Sequence, residues 1–261
     1  MDVRLHGSNG VLSRREAIID LLHEQGEVSV SELSKLSGVS SMTIRRDLEV
    51  LEKDGVLLRV HGGAISLASR GYAPPFTVRS NHGVEAKRRI GEAAAAMLAE
   101  RETVILDVGT TALAVANALQ ERRNLTVLTP SLHAANVLSR SPGIRLMLTG
   151  GTLAPGELSM VGDQAEEAFS RLRFDTFVMG VGGIDVEAGC TEFVLDDARV
   201  KRAALATVKR CIVVTDSSKL GKVTFAQVCT LDEVDVLVTD SGASEEDLAA
   251  FEAAHIEMVV V

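Results

Sequence analysis

The stretch Ser29-Val-Ser-Glu-Leu-Ser-Lys-Leu-Ser-Gly-Val-Ser-Ser-Met-Thr-Ile-Arg-Arg-Asp-Leu-Glu-Val-Leu-Glu-Lys-Asp54 reads as two short helices joined by a tight turn. Ser29-Val-Ser-Glu32 is the S-x-x-E capping box, which starts a helix near Val30. Leu33 and Leu36 are its apolar positions, and Gly38 supplies the left-handed residue that ends it. After the turn Gly38-Val39-Ser40, Ser40 caps the next helix, which runs to about Asp54 with Gly55 as its stop. Upstream, Ile18, Leu21 and Leu22 recur at helical spacing after Arg14 and Arg15, giving an earlier helix that ends near Gln25 and Gly26. Val28 then lies in a short extended stretch. Downstream, Val56–Val60 and Ala64-Ile65 read as two strands around the turn His61-Gly62-Gly63. Three helices followed by a glycine-turned hairpin make a winged helix-turn-helix, an α+β module.

Its third helix divides into two faces. Ile44, Leu48 and Leu51 share one face and are expected in the core, while Met42, Arg45, Arg46 and Glu49 share another that has no need to be apolar. Ser41 and Thr43 lie near the helix N-terminus, the end that meets phosphates and base edges in such modules. Arginine matches both phosphate and guanine. The expected DNA-binding residues are therefore Ser41, Met42, Thr43, Arg45 and Arg46, with Arg59 and His61 on the wing. The alternative is that Arg45 and Arg46 are solvated charges paired with Glu49 or Asp47.

The chain has 261 residues, 46% of them apolar, and a net charge of −9 from 27 basic and 36 acidic side chains. That balance excludes a protein that coats nucleic acid without regard to sequence. Residues 1–62 carry 8 Lys or Arg against 10 Asp or Glu, so the DNA-binding part is not basic overall, and the placement of its arginines is what counts. The first ten residues lack the layout of a signal peptide, and no run nears the ~18 apolar residues of a membrane helix. Cys190, Cys211 and Cys229 have no metal-ligand spacing and read as free, unreactive thiols in a reducing cytoplasm, with no metal and no cofactor expected.

Residues 67–82 have turn-forming composition without periodicity and read as a linker, separating a first domain at 11–66 from a second at 83–261. In the second domain the rhythm becomes strand–helix alternation. Val104–Val108, Leu125–Thr129, Ile144–Leu148, Thr176–Val181, Ile212–Thr215, Val234–Thr239 and Ile256–Val261 are near-continuous apolar runs, as in strands buried on both faces. Helical stretches lie between them, so an α/β domain with a mostly parallel sheet is expected. Ligands of such sheets bind beyond the carboxyl ends of the strands. The segments found there are Asp107-Val-Gly109-Thr110-Thr111, Thr149-Gly150-Gly151, Gly180-Val-Gly182-Gly183-Ile-Asp185 and Asp216-Ser-Ser-Lys219. With Lys87 and Lys201 they suggest a pocket for a small, anionic, hydroxyl-rich molecule such as a sugar phosphate. A Walker lysine and a complete G-x-G-x-x-G are both missing from these turns.

The motifs Val39-Ser-Ser-Met-Thr43-Ile-Arg45-Arg46-Asp47-Leu48 and Leu57-Leu-Arg59-Val-His61-Gly62-Gly63-Ala64 resemble the recognition helix and wing of the DeoR family of bacterial transcriptional regulators. The likeness continues through Glu85-Ala-Lys87-Arg88-Arg-Ile90-Gly91, Leu106-Asp107-Val-Gly109-Thr-Thr111, Leu148-Thr149-Gly150-Gly151, Asp197-Ala-Arg-Val-Lys201-Arg202-Ala and Asp216-Ser-Ser-Lys219. The resemblance implies an operator-binding module and a sensor related to the folds of ribose-5-phosphate isomerase and CoA transferases. It implies repression relieved by a phosphorylated sugar or related metabolite. A homo-oligomer, dimer or tetramer, is expected, since it would place two recognition helices in successive major grooves of a repeated operator. Carried over by position, Asp107, Gly109, Thr110, Thr111, Gly150, Gly151, Lys201 and Lys219 would line the effector pocket, with Lys87 near it and Glu192-Phe193 setting specificity. One departure is Thr129-Pro130-Ser131, where the family usually has Asn between Thr and Ser. The rival reading is a sugar-phosphate isomerase-like enzyme with an accessory winged-helix domain, using Asp107, Asp185 or Glu192 as base.

Overall fold

The computed structural model describes residues 11–53, 56–66 and 74–261, and the chain divides into two compact units at His82 and Gly83. The first unit holds α1 (Val11–Gln25), β1 (Glu27–Ser29), α2 (Val30–Ser37), α3 (Ser41–Lys53), β2 (Leu57–Val60), β3 (Gly63–Ser66) and α4 (Phe76–Asn81). Ser29 caps α2 by accepting from the Glu32 N–H at 3.1 Å, and Gly38, at φ 68°, closes it in the left-handed conformation a side chain would strain. Ser40 starts α3 in the same way, accepting from the Thr43 N–H at 3.2 Å. The stop expected at Gly55 lies outside the described residues. The wing is a three-stranded antiparallel sheet ordered β1-β3-β2, so the extended stretch at Val28 is its third strand. Ile18, Leu22, Leu33, Ile44, Leu48, Leu51 and Leu57 form the core of this unit.

Part of the stretch read as a linker is structured. α4 buries Phe76, and Val78 packs against the first core. His82 Nε2 lies 3.1 Å from Asp20 Oδ1 on α1. Two apolar residues in a six-residue helix are too few to show periodicity, which is why composition alone reads this segment as a connector.

The second unit runs through α5 (Val84–Ala96), β4 (Thr103–Leu106), α6 (Thr110–Ala118), β5 (Leu125–Thr129), α7 (Leu132–Leu138) and β6 (Ile144–Leu148). It continues with β7 (Thr152–Leu153), β8 (Met160–Val161), α8 (Asp163–Glu167), β9 (Phe174–Gly180), β10 (Gly183–Asp185) and β11 (Gly189–Glu192). The last elements are α9 (Leu195–Leu205), β12 (Val208–Val214), β13 (Ala226–Cys229), β14 (Val236–Thr239), α10 (Glu245–Ala253) and β15 (Glu257–Val260). The seven strands expected from the apolar runs form one parallel sheet ordered β15-β14-β12-β9-β4-β5-β6. Successive strand residues alternate between two cores. Val104, Leu106, Ile212, Val214, Val236 and Val238 face the core shared with α5, α6 and α7. Ile105, Cys211, Val213 and Leu237 face the core shared with α8, α9 and α10. Two elements lacked a sequence signal: the β7–β8 hairpin and the antiparallel sheet β10-β11-β13. Their strands have two to four residues and no apolar alternation.

Among the described residues no helix is long and apolar enough to cross a membrane. All three cysteines are free and buried; Cys190 faces Cys229 across β11 and β13, and that neighbour, with burial, pushes the Cys190 thiol up. A protonated, enclosed thiol is a poor nucleophile.

Candidate functional site

The strand order reverses between β4 and β9, the two strands from which the chain winds outward in opposite directions. In open α/β sheets the crevice beyond the carboxyl ends of such a pair is where ligands bind. The residues that end these strands form one connected buried cluster. The Asp107 carboxylate, 2% exposed, accepts from the Gly180 N–H at 2.9 Å and from the Lys201 ammonium. Lys201 comes from α9 and is 1% exposed. It also donates to the Gly180 carbonyl at 2.7 Å and pairs with Glu192 at 3.0 Å. The three N–H bonds of this ammonium thus have three protein acceptors.

Electrostatics follow from this enclosure. Burial alone would lower the Lys201 pKa, but Asp107 and Glu192 outweigh it and hold the ammonium above the ordinary lysine value. Burial pushes Asp107 up, against the pull of Lys201. Asp197, one turn before Lys201 on α9, is raised to about 6, first by burial and then by the nearby Glu192 charge. Its proton leaves later from the folded chain than from an unfolded one, whose Asp titrates near ~3.9. Ionising Asp197 therefore costs stability, and the loss builds as pH rises from about 4 to about 6 and is constant above. The shift corresponds to about 3 kcal/mol. Asp197→Asn should erase that component, so the variant gains on the wild type between pH 4.5 and pH 7.5 in paired thermal melts. Parallel curves would show that Asp197 carries no such shift.

The other loops follow the carboxyl ends of neighbouring strands of the same sheet. Gly109, at φ 99°, leads into α6, whose first residue, Thr110, is buried, with Thr111 partly exposed beside it. Gly150 and Gly151 follow β6 at φ 74° and 110°. The Lys219 ammonium stands over the Phe193 ring at 5.3 Å. Lys87 is buried on α5. The Pro130 carbonyl accepts from the Met160 N–H at 2.8 Å, joining this loop to the β7–β8 hairpin. Asp185 is not joined to the cluster by any hydrogen bond or ion pair among the described residues. Its Oδ1 accepts from the Glu187 and Ala188 N–H groups at 2.9 Å and closes the β10–β11 turn. Two buried carboxylates escaped the sequence reading. Asp197 had a signal, an acid four residues before a lysine on one helix face; Asp240, which accepts from Ser217 N–H at 2.7 Å, had none.

In the first unit the third helix carries its polar face outward. Met42 is 57% exposed, and Ser41, Arg45, Arg46 and Glu49 are exposed beside it. The pairing alternative fails. Asp47 points inward, 2% exposed, and takes Arg14 at 2.6 Å and Arg15 at 3.0 Å from α1. Glu49 pairs with Lys53 at 3.2 Å. Among the described residues Arg45 and Arg46 have no ion-pair partner. The Thr43 hydroxyl lies 3.0 Å from Ser40 Oγ within the cap. Arg59 is held by Glu52, which accepts its backbone N–H at 2.9 Å and faces its guanidinium at 3.8 Å, while His61 is exposed in the wing turn.

Two family models match the chain: "DeoR-like helix-turn-helix domain" over residues 14–70 and "DeoR C terminal sensor domain" over residues 82–241. The chain is 35% identical over 254 residues to the Escherichia coli O157:H7 protein named "Putative aga operon transcriptional repressor", covering 97% of this chain and 94% of that one. It is 33% identical over 245 residues to the glycerol-3-phosphate regulon repressor of Escherichia coli K12, covering 94% of this chain and 97% of that one. A ribose 5-phosphate isomerase A structure from Methanocaldococcus jannaschii aligns at TM-score 0.40 and 13% identity, over 52% of this chain and 54% of that one.

Proposed function

Because the chain belongs to the DeoR family of transcriptional regulators, we propose that it represses genes for the use of a sugar or related compound and leaves its operator when a phosphorylated metabolite occupies the sensor crevice. Membership of a regulator family sets aside the isomerase reading. The observation that carries the proposal is the pair Arg45 and Arg46, exposed on a capped helix and without ion-pair partners among the described residues, while the neighbouring described acids Asp47 and Glu49 are spent elsewhere. An uncommitted guanidinium pair there is suited to phosphate and guanine. Ser41, Met42 and Thr43 would sit at the groove with them, and Arg59 and His61 would reach the flanking backbone. A cytoplasmic dimer or tetramer would set two such helices on a repeated operator.

In the sensor, the effector's phosphate would meet the N-terminus of α6 at Gly109, Thr110 and Thr111 and the Gly150-Gly151 loop, with Lys219 and Lys87 supplying positive charge. Asp107 and Glu192 would accept from sugar hydroxyls, with Lys201 holding both carboxylates in place rather than binding directly. That the glycerol-3-phosphate regulon repressor is named for a phosphorylated polyol supports this ligand class. The ligand acts only if it binds the DNA-competent and released arrangements with different affinity. The test is a thermal-shift series with hexose 6-phosphates, pentose 5-phosphates and glycerol 3-phosphate, followed by operator titration. One compound should raise the melting temperature, by up to about 3 kcal/mol of stability at a hundredfold excess over Kd, and weaken operator binding. Stabilisation by none of them, or stabilisation that leaves operator affinity untouched, would overturn the reading.

A further inference from the structure

We propose that the sensor carries a second DNA contact, an arginine patch at the amino ends of β5 and β6 that holds the phosphate backbone beside the operator. The proposal rests on the operator-binding reading above. Arg122 and Arg123 precede β5, Arg140 follows α7, and Arg145 is the second residue of β6, placed opposite Thr126 by the strand register. Their two loops touch at Gly143. A Cβ there would lie 2.6 Å from the Arg122 carbonyl oxygen and 2.8 Å from Arg123 Cα, so the close approach requires a residue with no side chain. Arg122 is anchored by a hydrogen bond to the Leu98 carbonyl. Arg123, Arg140 and Arg145 are exposed, and among the described residues none of them has an ion-pair partner.

Elsewhere in the sensor, exposed Arg88 and Arg199 each pair with two carboxylates. The segments 119–126 and 139–145 contain four arginines and a single acid, Glu121. Neither segment contributes an exposed large apolar side chain. A protein interface needs such anchors at its centre, so the patch is poorly suited to a second copy of the chain. Exposed guanidinium groups on two touching loops with no apolar core fit phosphate oxygens, which each can grip through two parallel N–H bonds. Contacts of this kind add affinity without sequence preference and release counterions from the duplex.

The test is the salt dependence of binding by the full chain to the duplex it selects from random DNA, with long flanks. Each phosphate neutralised contributes about 0.9 to the slope of log K against log salt. The triple variant R123Q/R140Q/R145Q should lower the slope by about 2 to 3 and weaken binding at least about tenfold at low salt. Its melting temperature should stay unchanged, and R123K/R140K/R145K should restore the slope. An unaltered slope in the glutamine variant would sink the proposal, as would a change of oligomeric state in sedimentation without a change of slope. If the full chain selects no duplex from random DNA, the operator reading itself fails and the patch falls with it; if it selects one and the triple variant matches wild type in slope and affinity, only the patch fails.

Discussion

Lys201→Met is expected to destabilise the sensor by about 3–5 kcal/mol, the usual cost of removing one partner from a buried ion pair. The lysine is 1% exposed, and its ammonium is the nearest cation to Asp107 and Glu192. Methionine fills most of the volume, so little of the loss is cavity. The cost comes from two carboxylates left in a poorly solvated crevice and from the Gly180 carbonyl losing its donor. Two consequences separate this cause from a simple loss of shape. The double variant Asp107→Asn/Lys201→Met should recover a large part of the loss, because a neutral amide needs no counter-ion and its oxygen still accepts from the Gly180 N–H. Acidification should also narrow the gap between Lys201→Met and wild type, since protonation removes the orphaned charge. Urea unfolding of the full chain, followed through the sensor's transition at pH 7.5 and pH 5, gives both comparisons. A loss under about 1 kcal/mol, or a gap that ignores pH, would mean that water already solvates the cluster.

That cluster also marks the limit of what the amino-acid order discloses. The seven strands of the large sheet are legible because each is buried on both faces and so becomes an unbroken apolar run, and the loops that follow them can be read off in turn. The helix-turn-helix is legible because its caps are local: Ser29, Gly38 and Ser40 act within four residues of themselves. Asp107 and Lys201 are 94 residues apart, and nothing in their spacing tells that one ammonium bridges Asp107, Glu192 and the Gly180 carbonyl. The same holds for Asp47. Read along its helix it neighbours Arg46, yet the position lies next to Leu48 on the inward face, where α1 brings Arg14 and Arg15 to it. Asp185 adds a detail that spacing does not disclose: its Oδ1 closes the β10–β11 turn through the Glu187 and Ala188 N–H groups.

Arg46→Ala should lower operator affinity by about 1–3 kcal/mol, five- to hundredfold, while leaving the melting temperature and its response to the effector unchanged. Arg46 is exposed, and among the described residues it has no hydrogen bond or ion pair to lose. The arrangement around it explains why so acidic a chain can still read DNA. Of the cations in the first unit, Arg14 and Arg15 are neutralised by Asp47, Lys53 faces Glu49 and Arg59 leans on Glu52. Lys35, Arg45 and Arg46 are left exposed without an ion-pair partner among the described residues, so under the proposed reading affinity for the groove would rest on a few cations instead of spreading over a basic surface, which would make nonspecific binding weak and each of the two arginines costly to lose. The form of the loss tells what Arg46 touches. If it grips a base edge, the loss should be large on the operator, small on unrelated duplex, and leave the salt slope unaltered. If it grips phosphate, both duplexes should weaken alike and the slope should fall by about 1. Operator affinity equal to wild type at fixed salt would place the DNA-reading face elsewhere on the module.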